Sequence, residues 1–183
     1  MKGALILAVL FAAPVFAQNN TTQVGLQGPC GHDQARFDVE KVSGPPITQA
    51  VSGKAMVFVS EVFKKATGEM GDPTLRIGVD GEWVGAVKGN SYFSFNVEPG
   101  EHHLCLKWQS HFKRLSREAA FTVFAAGAGK QHYFRARVTY ELGPDNGHGN
   151  NVTGMSITLD PISSDEGQYL VASNPMSVPH IKR

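Results

Sequence analysis

Three pairs of turn-forming residues divide the middle of the chain into short apolar runs. Asp80-Gly81 stands between an alternating run at 75–79 and an apolar run at 82–88, and Gly89-Asn90 and Pro99-Gly100 follow closely. Asp-Gly is a strong signal for a two-residue type I′ hairpin turn, because both central residues of that turn need positive φ. This stretch is therefore predicted to fold as short antiparallel strands.

The apolar residues on both sides of these turns recur with the period of two that is typical of strands. Leu75, Ile77 and Val79 alternate with Arg76 and Gly78, which predicts a half-buried strand. Residues 54–63 carry apolar side chains on both faces, which predicts a central, buried strand. Strand patterns lie at 54–63, 75–79, 82–88, 93–97, 102–108, around 121–123, 131–142 and 155–159, with a further short candidate at 37–42.

About eight short strands with closely spaced turns predict an all-β fold, namely an antiparallel β-sandwich of immunoglobulin-like type or a partly open barrel. No alternating helix pattern supports a parallel α/β fold. One short C-terminal helix is predicted at 163–172, with Ser163 or Ser164 as the N-cap. We expect a single β-sandwich domain at 37–175, followed by a flexible tail at 176–183.

The first 17 residues have the pattern of a secretory signal peptide. Met1-Lys2 is followed by an uncharged stretch from Gly3 to Phe16 and by Ala17 before a polar segment. The apolar stretch is shorter than the roughly 20 residues that a transmembrane helix needs. An uncleaved anchor or a buried N-terminal helix is the alternative. The sequence therefore predicts a mature chain from Gln18, exported to the periplasm, the cell envelope or the extracellular space, with no later transmembrane segment.

The chain has two cysteines, Cys30 and Cys105. In an exported chain two cysteines are most simply a disulfide bond, which would tether the N-terminal segment at 18–36 to the sheet. The alternative is a zinc or copper site, because His32 and His103 each lie two positions from a cysteine and the four side chains have suitable chemistry. Disulfide and metal site are both kept as hypotheses.

The strand at 102–108 predicts where the bridge lies. Leu104 and Leu106 share one face, and His103, Cys105 and Lys107 share the other. A bridge from Cys30 would therefore hold the N-terminal segment over the polar face of the sheet.

The charge of the mature chain argues against a nucleic-acid-binding protein. The signal peptide carries one of the 17 Lys and Arg residues and none of the 16 Asp and Glu residues, so the mature chain has no basic excess. A local basic cluster surrounds Trp108 and His111 and comprises Lys107, Lys113, Arg114 and Arg117. A solvated loop is the simpler interpretation, because phosphate binding usually needs a broader basic surface.

No motif for catalysis or for a cofactor is complete. The stretch at 126–131 resembles a phosphate-binding loop but has Gln131 where Ser or Thr is needed. The stretch at 145–150 resembles a calcium loop but has Ser156 at the position of the bidentate Glu. His102 and His103 are adjacent in a strand and are expected on opposite faces, so they cannot bind one ion together. We therefore predict no catalytic residues, no cofactor and a non-enzymatic protein.

Three aromatic residues, Trp83, Tyr92 and Trp108, offer a further interpretation. Exposed together, they would form a platform for a sugar or a peptide. Packing in the core is the more common role of such residues.

The turns also carry a resemblance to known modules. The segments Val79-Asp80-Gly81-Glu82-Trp83-Val84-Gly85, Gly89-Asn90-Ser91-Tyr92-Phe93 and Glu98-Pro99-Gly100-Glu101-His102-His103-Leu104 are similar to the hairpins of PEGA-type surface modules. They resemble more closely the bacterial exported family called domain of unknown function 2846, over roughly 54–159. The resemblance implies a small PEGA-like β-sandwich at the cell envelope, with an early cysteine and a cysteine just after the last turn, and it implies no activity.

The leading hypothesis is an exported, non-enzymatic envelope module that binds or scaffolds another envelope component, either a protein or a glycan. The first alternative is a metal-binding protein that uses Cys30, His32, His103 and Cys105. The second alternative is a carbohydrate-binding module that uses exposed aromatic side chains.

Overall fold

The computed structural model describes residues 30–31, 35–45, 49–63, 71–111, 115–143 and 152–182. These residues form ten strands, a short 3₁₀ turn and one α-helix, which confirms a mostly β chain but with more strands than the eight or so expected. The elements are β1 (Phe37–Val42), β2 (Ala55–Phe63), β3 (Thr74–Val79), β4 (Glu82–Lys88), β5 (Tyr92–Val97), β6 (Gly100–Trp108), the 3₁₀ turn (Leu115–Arg117), β7 (Ala119–Ala126), β8 (Gln131–Leu142), β9 (Val152–Pro161), α1 (Ser164–Ser173) and β10 (Met176–Ile181).

The strands form two sheets, which confirms the predicted sandwich. The order in the six-stranded sheet is β1-β10-β5-β2-β8-β9, and in the four-stranded sheet it is β4-β3-β6-β7. The six-stranded sheet is mixed and not purely antiparallel, because β2 pairs with β8 and β10 pairs with β5 in parallel. Both parallel pairs join strands that are distant in the chain, so no hairpin turn imposes an antiparallel direction on them.

The Asp80-Gly81 hairpin is confirmed. Asp80 has φ of 52° and Gly81 has φ of 86°, as a type I′ turn requires, and the turn joins β3 to β4. The glycine-rich stretch at 127–129 is likewise a turn, between β7 and β8, and its Lys130 amide donates to the Gly127 carbonyl.

The main core lies between the two sheets. Alternate residues of β2, β3 and β6 point into it and are almost completely buried, as the period of two predicts. These residues are Ala55, Val57, Val59, Leu75, Ile77, Leu104, Leu106 and Trp108.

A second apolar cluster lies on the other face of the six-stranded sheet, beneath α1. Val171 of the helix packs there with Met56, Phe58 and Tyr133. The side chain of Ser163 accepts a hydrogen bond from the Glu166 amide at 3.2 Å, which confirms it as the N-cap. Strand β2 is therefore covered on both faces, as its sequence predicts.

The prediction of a flexible tail at 176–183 is wrong for residues 176–181. These residues form β10, which pairs with β1 on one side and with β5 on the other. The Ser177 hydroxyl is buried and lies 2.7 Å from the Ser91 hydroxyl. The segment is short and only partly apolar, so its order comes from neighbouring strands that are remote in sequence.

Strand β3 also differs from its prediction. It is buried on both faces, and Arg76 is only 4% exposed. Period-two alternation identifies the face that packs in the core, but it does not show what covers the opposite face.

Within the described ranges, no helix is long and apolar enough to span a membrane. The predicted signal peptide at 1–17 and the glycine- and asparagine-rich stretch at 145–150 lie outside the described residues.

Candidate functional site: the outer face of the four-stranded sheet

The outer face of the four-stranded sheet is its side that faces away from the core. It carries the residues that alternate with the core positions of β3, β6 and β7. These are Arg76, Gly78, His103, Cys105, Lys107, Phe121 and Val123.

Cys30 and Cys105 form a disulfide bond on this face, as predicted. Their Cα atoms lie 5.4 Å apart, and the bridge spans 75 positions of sequence. Both residues are buried, and Cys105 is only 1% exposed although its neighbours Leu104 and Leu106 occupy the opposite face. The predicted direction of the Cys105 side chain is therefore confirmed.

The described residues next to Cys30 pack onto β3 and β4. A Cβ atom at Gly78 would lie 2.6 Å from the Cys30 carbonyl oxygen, so this position has room only for glycine. Arg76 donates a hydrogen bond to the Ala35 carbonyl at 2.8 Å, and its guanidinium carbon lies 4.4 Å from the centre of the Trp83 ring. The N-terminal segment therefore covers Arg76, which explains why β3 is buried on both faces.

The disulfide bears directly on the metal hypothesis. It binds the sulfurs of Cys30 and Cys105 to each other and leaves neither as a thiolate ligand. His32 lies outside the described residues, and His103 is exposed beside Cys105. In the part of the chain that the structure describes, no group of three or more His, Cys, Asp or Glu side chains could hold a metal ion.

The aromatic platform is not formed by the three predicted residues. Tyr92 is 2% exposed beneath α1, and Trp108 is 5% exposed in the main core. Trp83 is half-buried against Arg76. Packing in the core, the common role of such residues, is confirmed for Tyr92 and Trp108.

His102 and His103 point to opposite faces, as predicted. The Nδ1 atom of His102 lies 2.6 Å from an Asp80 carboxylate oxygen, and its Nε2 atom lies 2.7 Å from the Glu98 carbonyl oxygen. Burial is the largest influence on the pKa of His102 and lowers it, but the contacts with Asp80 and Glu98 together raise the pKa above its usual value. His102 therefore secures two turns of the sheet and has no direct access to the outer face.

A shallow apolar groove of about 170 Å³ lies beside the disulfide. It is lined by His103, Cys105, Phe121 and Val123 together with the backbone neighbours Leu104 and Thr122. Phe121 is 56% exposed and Val123 is 53% exposed, although both lie in the middle of a strand. Strand β7 is the last strand of its sheet, so the groove is open at the sheet edge.

A larger cleft of about 320 Å³ lies at the other end of the same face. We call it the cationic cleft. Its lining residues are Arg36, Arg76, Lys107, Trp108, Gln109, Ser110, His111 and Ser116. Among the lining residues that the structure describes, three have cationic side chains and none is acidic.

Hydrogen bonds hold the walls of the cationic cleft together. The Gln109 side chain accepts from the Phe37 amide at 2.8 Å and donates to the Phe37 carbonyl at 2.7 Å, which fixes β1 to the end of β6. The Gln109 amide donates to the Thr74 carbonyl at 2.8 Å. These contacts hold the segment that carries Arg36 next to β6, so that Arg36 and Lys107 line the same cleft.

Part of this cleft coincides with the basic cluster seen in the sequence, for which a solvated loop was the simpler interpretation. Lys107, Trp108 and His111 belong to the basic cluster identified from the sequence, whereas Lys113 and Arg114 lie outside the described residues. Arg36 and Arg76 were missed, because they are remote in sequence and no local pattern links them to the cluster.

Glu61 is the most unusual ionisable residue in the core. It is fully buried, and neither carboxylate oxygen has a hydrogen-bond partner among the residues that the structure describes. Burial raises the pKa of Glu61 well above its usual value, and the nearby Asp72 adds to the rise, while the Gly89 amide and Lys41 oppose it. Glu61 lies on β2 and is separate from the outer face.

Comparison with protein-family models, with curated proteins and with solved structures finds no match to this chain.

Proposed function

We propose that this chain is an exported, non-enzymatic β-sandwich module of the bacterial cell envelope, and that its outer face binds a protein component of the envelope. The predicted signal peptide and the Cys30–Cys105 bridge support export, because disulfide bonds form and persist mainly in oxidising compartments. The resemblance to domain of unknown function 2846 supports the envelope as its location.

The exposed pair Phe121 and Val123 is the observation that carries the proposal. Exposed apolar side chains are common when scattered, but an apolar groove at a sheet edge is typical of a contact surface. Here the two side chains flank a groove, and the disulfide braces the strand beside them. A partner side chain that enters the groove would bury both residues against a rigid wall.

Site-specific crosslinking tests the proposal. The mature chain is prepared with a photoreactive phenylalanine analogue at position 121, and a matched control carries it at Tyr169, which is 69% exposed on the helix that covers the other sheet. We expect position 121 to form one dominant adduct in the envelope fraction of the producing cells. Excess unlabelled chain should compete for that adduct, whereas excess chain with Phe121→Asp and Val123→Asp should not.

Two results would contradict the proposal. The first is equal labelling from positions 121 and 169, which would show that the outer face has no preferred partner. The second is hydrolysis of an envelope substrate by the purified chain, with loss of activity when one polar residue is replaced.

Export is tested separately by mass. The protein recovered from the envelope or the medium should begin at Gln18, and it should be lighter by two hydrogens than the same chain after reduction. A chain recovered only from the cytoplasm with Met1 to Ala17 in place would contradict export.

A further inference from the structure

We propose that the open edge of β7 binds β7 of a second copy of this chain, so that the two four-stranded sheets become one continuous sheet. The two strands run antiparallel and are related by a two-fold axis at Thr122. This inference goes beyond the proposed function, because it concerns the edge of the strand and not the outer face.

The backbone of β7 has hydrogen-bonding groups that point to this edge. Among the residues that the structure describes, β7 pairs with β6 on one side and with no strand on the other. The Trp108 amide donates to the opposite Glu118 carbonyl at 3.1 Å, so these two residues are a hydrogen-bonded pair. Such pairs alternate along an antiparallel ladder, and the pairing runs unbroken from Lys107 opposite Ala119 to Gly100 opposite Ala126. The odd-numbered residues of β7 therefore direct their backbone N–H and C=O groups away from β6.

The same odd-numbered residues are accessible. Phe121, Val123 and Ala125 are exposed, and Ala119 is half-buried. A row of backbone donors and acceptors without a neighbouring strand is a template for another extended segment. The backbone therefore specifies that the occupant of this edge is a strand.

Strand β7 also lacks the devices that usually protect an edge. Its eight residues include no charged side chain and no proline. The other edge strands do have such devices. Charged residues lie along β1, β9 ends at Asp160-Pro161 and has a register shift against β8, and β4 has a register shift against β3. Of the four edge strands described, β7 is thus the one best suited to pairing.

The sequence of β7 favours a second copy as the occupant. It reads Ala-Ala-Phe-Thr-Val-Phe-Ala-Ala, which is the same in both directions except for its two central residues. With the two-fold axis at Thr122, Phe121 lies opposite Val123 of the second copy, and Ala119 lies opposite Ala125. These are hydrogen-bonded pairs, because all four residues direct their backbone groups to the edge. An aromatic residue meets a β-branched one, small meets small, and no like charges are opposed.

Pairing at the edge leaves the outer face open. A two-fold axis perpendicular to the sheet keeps the outer faces of both copies on the same side. Phe121 and Val123 of the two copies would form one apolar strip, with a groove on either side of it. An envelope partner could therefore still bind the outer face of the dimer.

Analytical ultracentrifugation of the purified mature chain tests the inference. We expect a reversible equilibrium between monomer and dimer. Val123→Pro removes an amide that points to the open edge and keeps the ladder with β6, since an edge strand accepts proline where its N–H faces solvent. The dissociation constant should rise by about tenfold or more, because two symmetry-related hydrogen bonds are lost. The matched control is Val123→Thr, which keeps the amide and the β-branched shape and should dimerise nearly as well as the unmodified chain.

A second variant and a crosslink complete the test. Val123→Lys keeps the amide but places an ammonium group of each copy at the shared edge, and it should also weaken the dimer. Thermal unfolding shows whether each variant is folded, and where one does not fold the other decides. In the purified chain, a photoreactive phenylalanine analogue at position 121 should form an adduct with residues 119–126 of the second copy.

Three results would overturn the inference. They are a monomer at every concentration up to about 1 mM, a dimer that no folded variant weakens, or an adduct that maps outside residues 119–126. In cells, an adduct between position 121 and a different protein supports the proposed function independently. If that adduct forms while the purified chain stays monomeric, the inference fails and the proposed function stands. If the chain dimerises through β7 but forms no adduct with another protein, the reverse holds.

Discussion

Glu61 shows at the scale of one residue how a core position can oppose stability. Its neighbours along the same face of β2, Val59 and Phe63, pack in the main core. The Tyr140 hydroxyl is also buried and has no hydrogen-bond partner in the described part of the chain. Burial, with Glu61 and Asp72 adding, raises the pKa of Tyr140 to about 12. A buried, unpartnered carboxyl costs free energy that a methionine would not.

We expect Glu61→Met to raise the free energy of unfolding by about 1–3 kcal/mol at pH 8. The raised pKa means that Glu61 holds its proton more tightly in the folded state than in the unfolded state. The contribution of Glu61 to stability is therefore fully present below the ordinary pKa of 4.5 and is lost as pH rises through the folded pKa. Glu61→Gln should therefore flatten the fall of stability with pH, as measured by urea unfolding at several pH values. Glu101→Gln, an exposed control, should leave the fall unchanged, and a Glu61→Gln profile identical to the original would contradict the prediction.

Asp80 and His102 form an ion pair that stabilises the fold, in contrast to Glu61. Burial is the largest influence on the pKa of Asp80 and raises it, but the His103 amide and His102 together lower it below 3.8, while the pKa of His102 lies above 6.5. The Asp80 contribution is present above 3.8 and is lost as pH falls, and the His102 contribution is present below 6.5 and is lost as pH rises. The pair therefore stabilises most between these values.

We expect Asp80→Asn to reduce the free energy of unfolding by about 0.5 kcal/mol at pH 5–6 and by less at pH 8, because the half-exposed carboxylate is screened by solvent. Asparagine tolerates positive φ and can still accept from the His103 amide, so the turn is kept. Urea unfolding at the two pH values measures the difference. An equal loss at both would show that the ion pair contributes nothing.

At the scale of elements, the contact between α1 and β8 depends on one missing side chain. A Cβ atom at Gly167 would overlap the ring of Tyr133, which stacks on Phe58 with ring centres 4.9 Å apart. Glycine is a poor helix former, so its presence in the middle of α1 reflects packing. The sequence pattern located the helix and its cap but did not predict this close approach.

We expect Gly167→Ala to destabilise the protein by about 1–3 kcal/mol, because the overlap outweighs the gain in helix propensity. Tyr169→Ala, at a position of α1 that is 69% exposed, should change the free energy of unfolding by less than about 0.5 kcal/mol. Thermal unfolding compares the two variants. A more stable Gly167→Ala variant would mean that the helix can move away from Tyr133 at little cost.

At the scale of the molecule, the disulfide ties the N-terminal segment to the sheet that carries both the groove and the cleft. The bridge closes a loop of 75 positions, which contains β1 to β5. It also keeps Ala35 and Arg36 near Arg76, so it supports the geometry of the cationic cleft.

We expect Cys30→Ala with Cys105→Ala to lower the free energy of unfolding by about 4 kcal/mol, as the chain-entropy model gives for a loop of this length. Unfolding with and without a reducing agent provides the control. The reductant should lower the free energy of unfolding of the unmodified chain and leave that of the variant unchanged. Equal free energies of unfolding for the unmodified chain and the double variant would contradict a stabilising role for the disulfide.

The local features of this fold were predictable because their causes are local. The positive φ of Asp80-Gly81, the alternation of Leu104 and Leu106 with Cys105, and the capping of α1 by Ser163 each follow from a few neighbouring residues. The outward direction of Cys105 followed in the same way, since the period of two places successive side chains on opposite faces.

The tertiary structure alone decided the features that join distant segments. The parallel pairing of β2 with β8, the strand at 176–181 and the burial of Arg76 all depend on which segments meet in space. The cationic cleft belongs with these, because it brings Arg36, Arg76 and Lys107 together from three elements. Hydrophobic period and turn chemistry act over a few residues, whereas sheet order and the covering of each face are set by long-range packing. For that reason the sequence by itself determined the turns, the disulfide bond and every strand except the one at 176–181, but not the arrangement of the outer face.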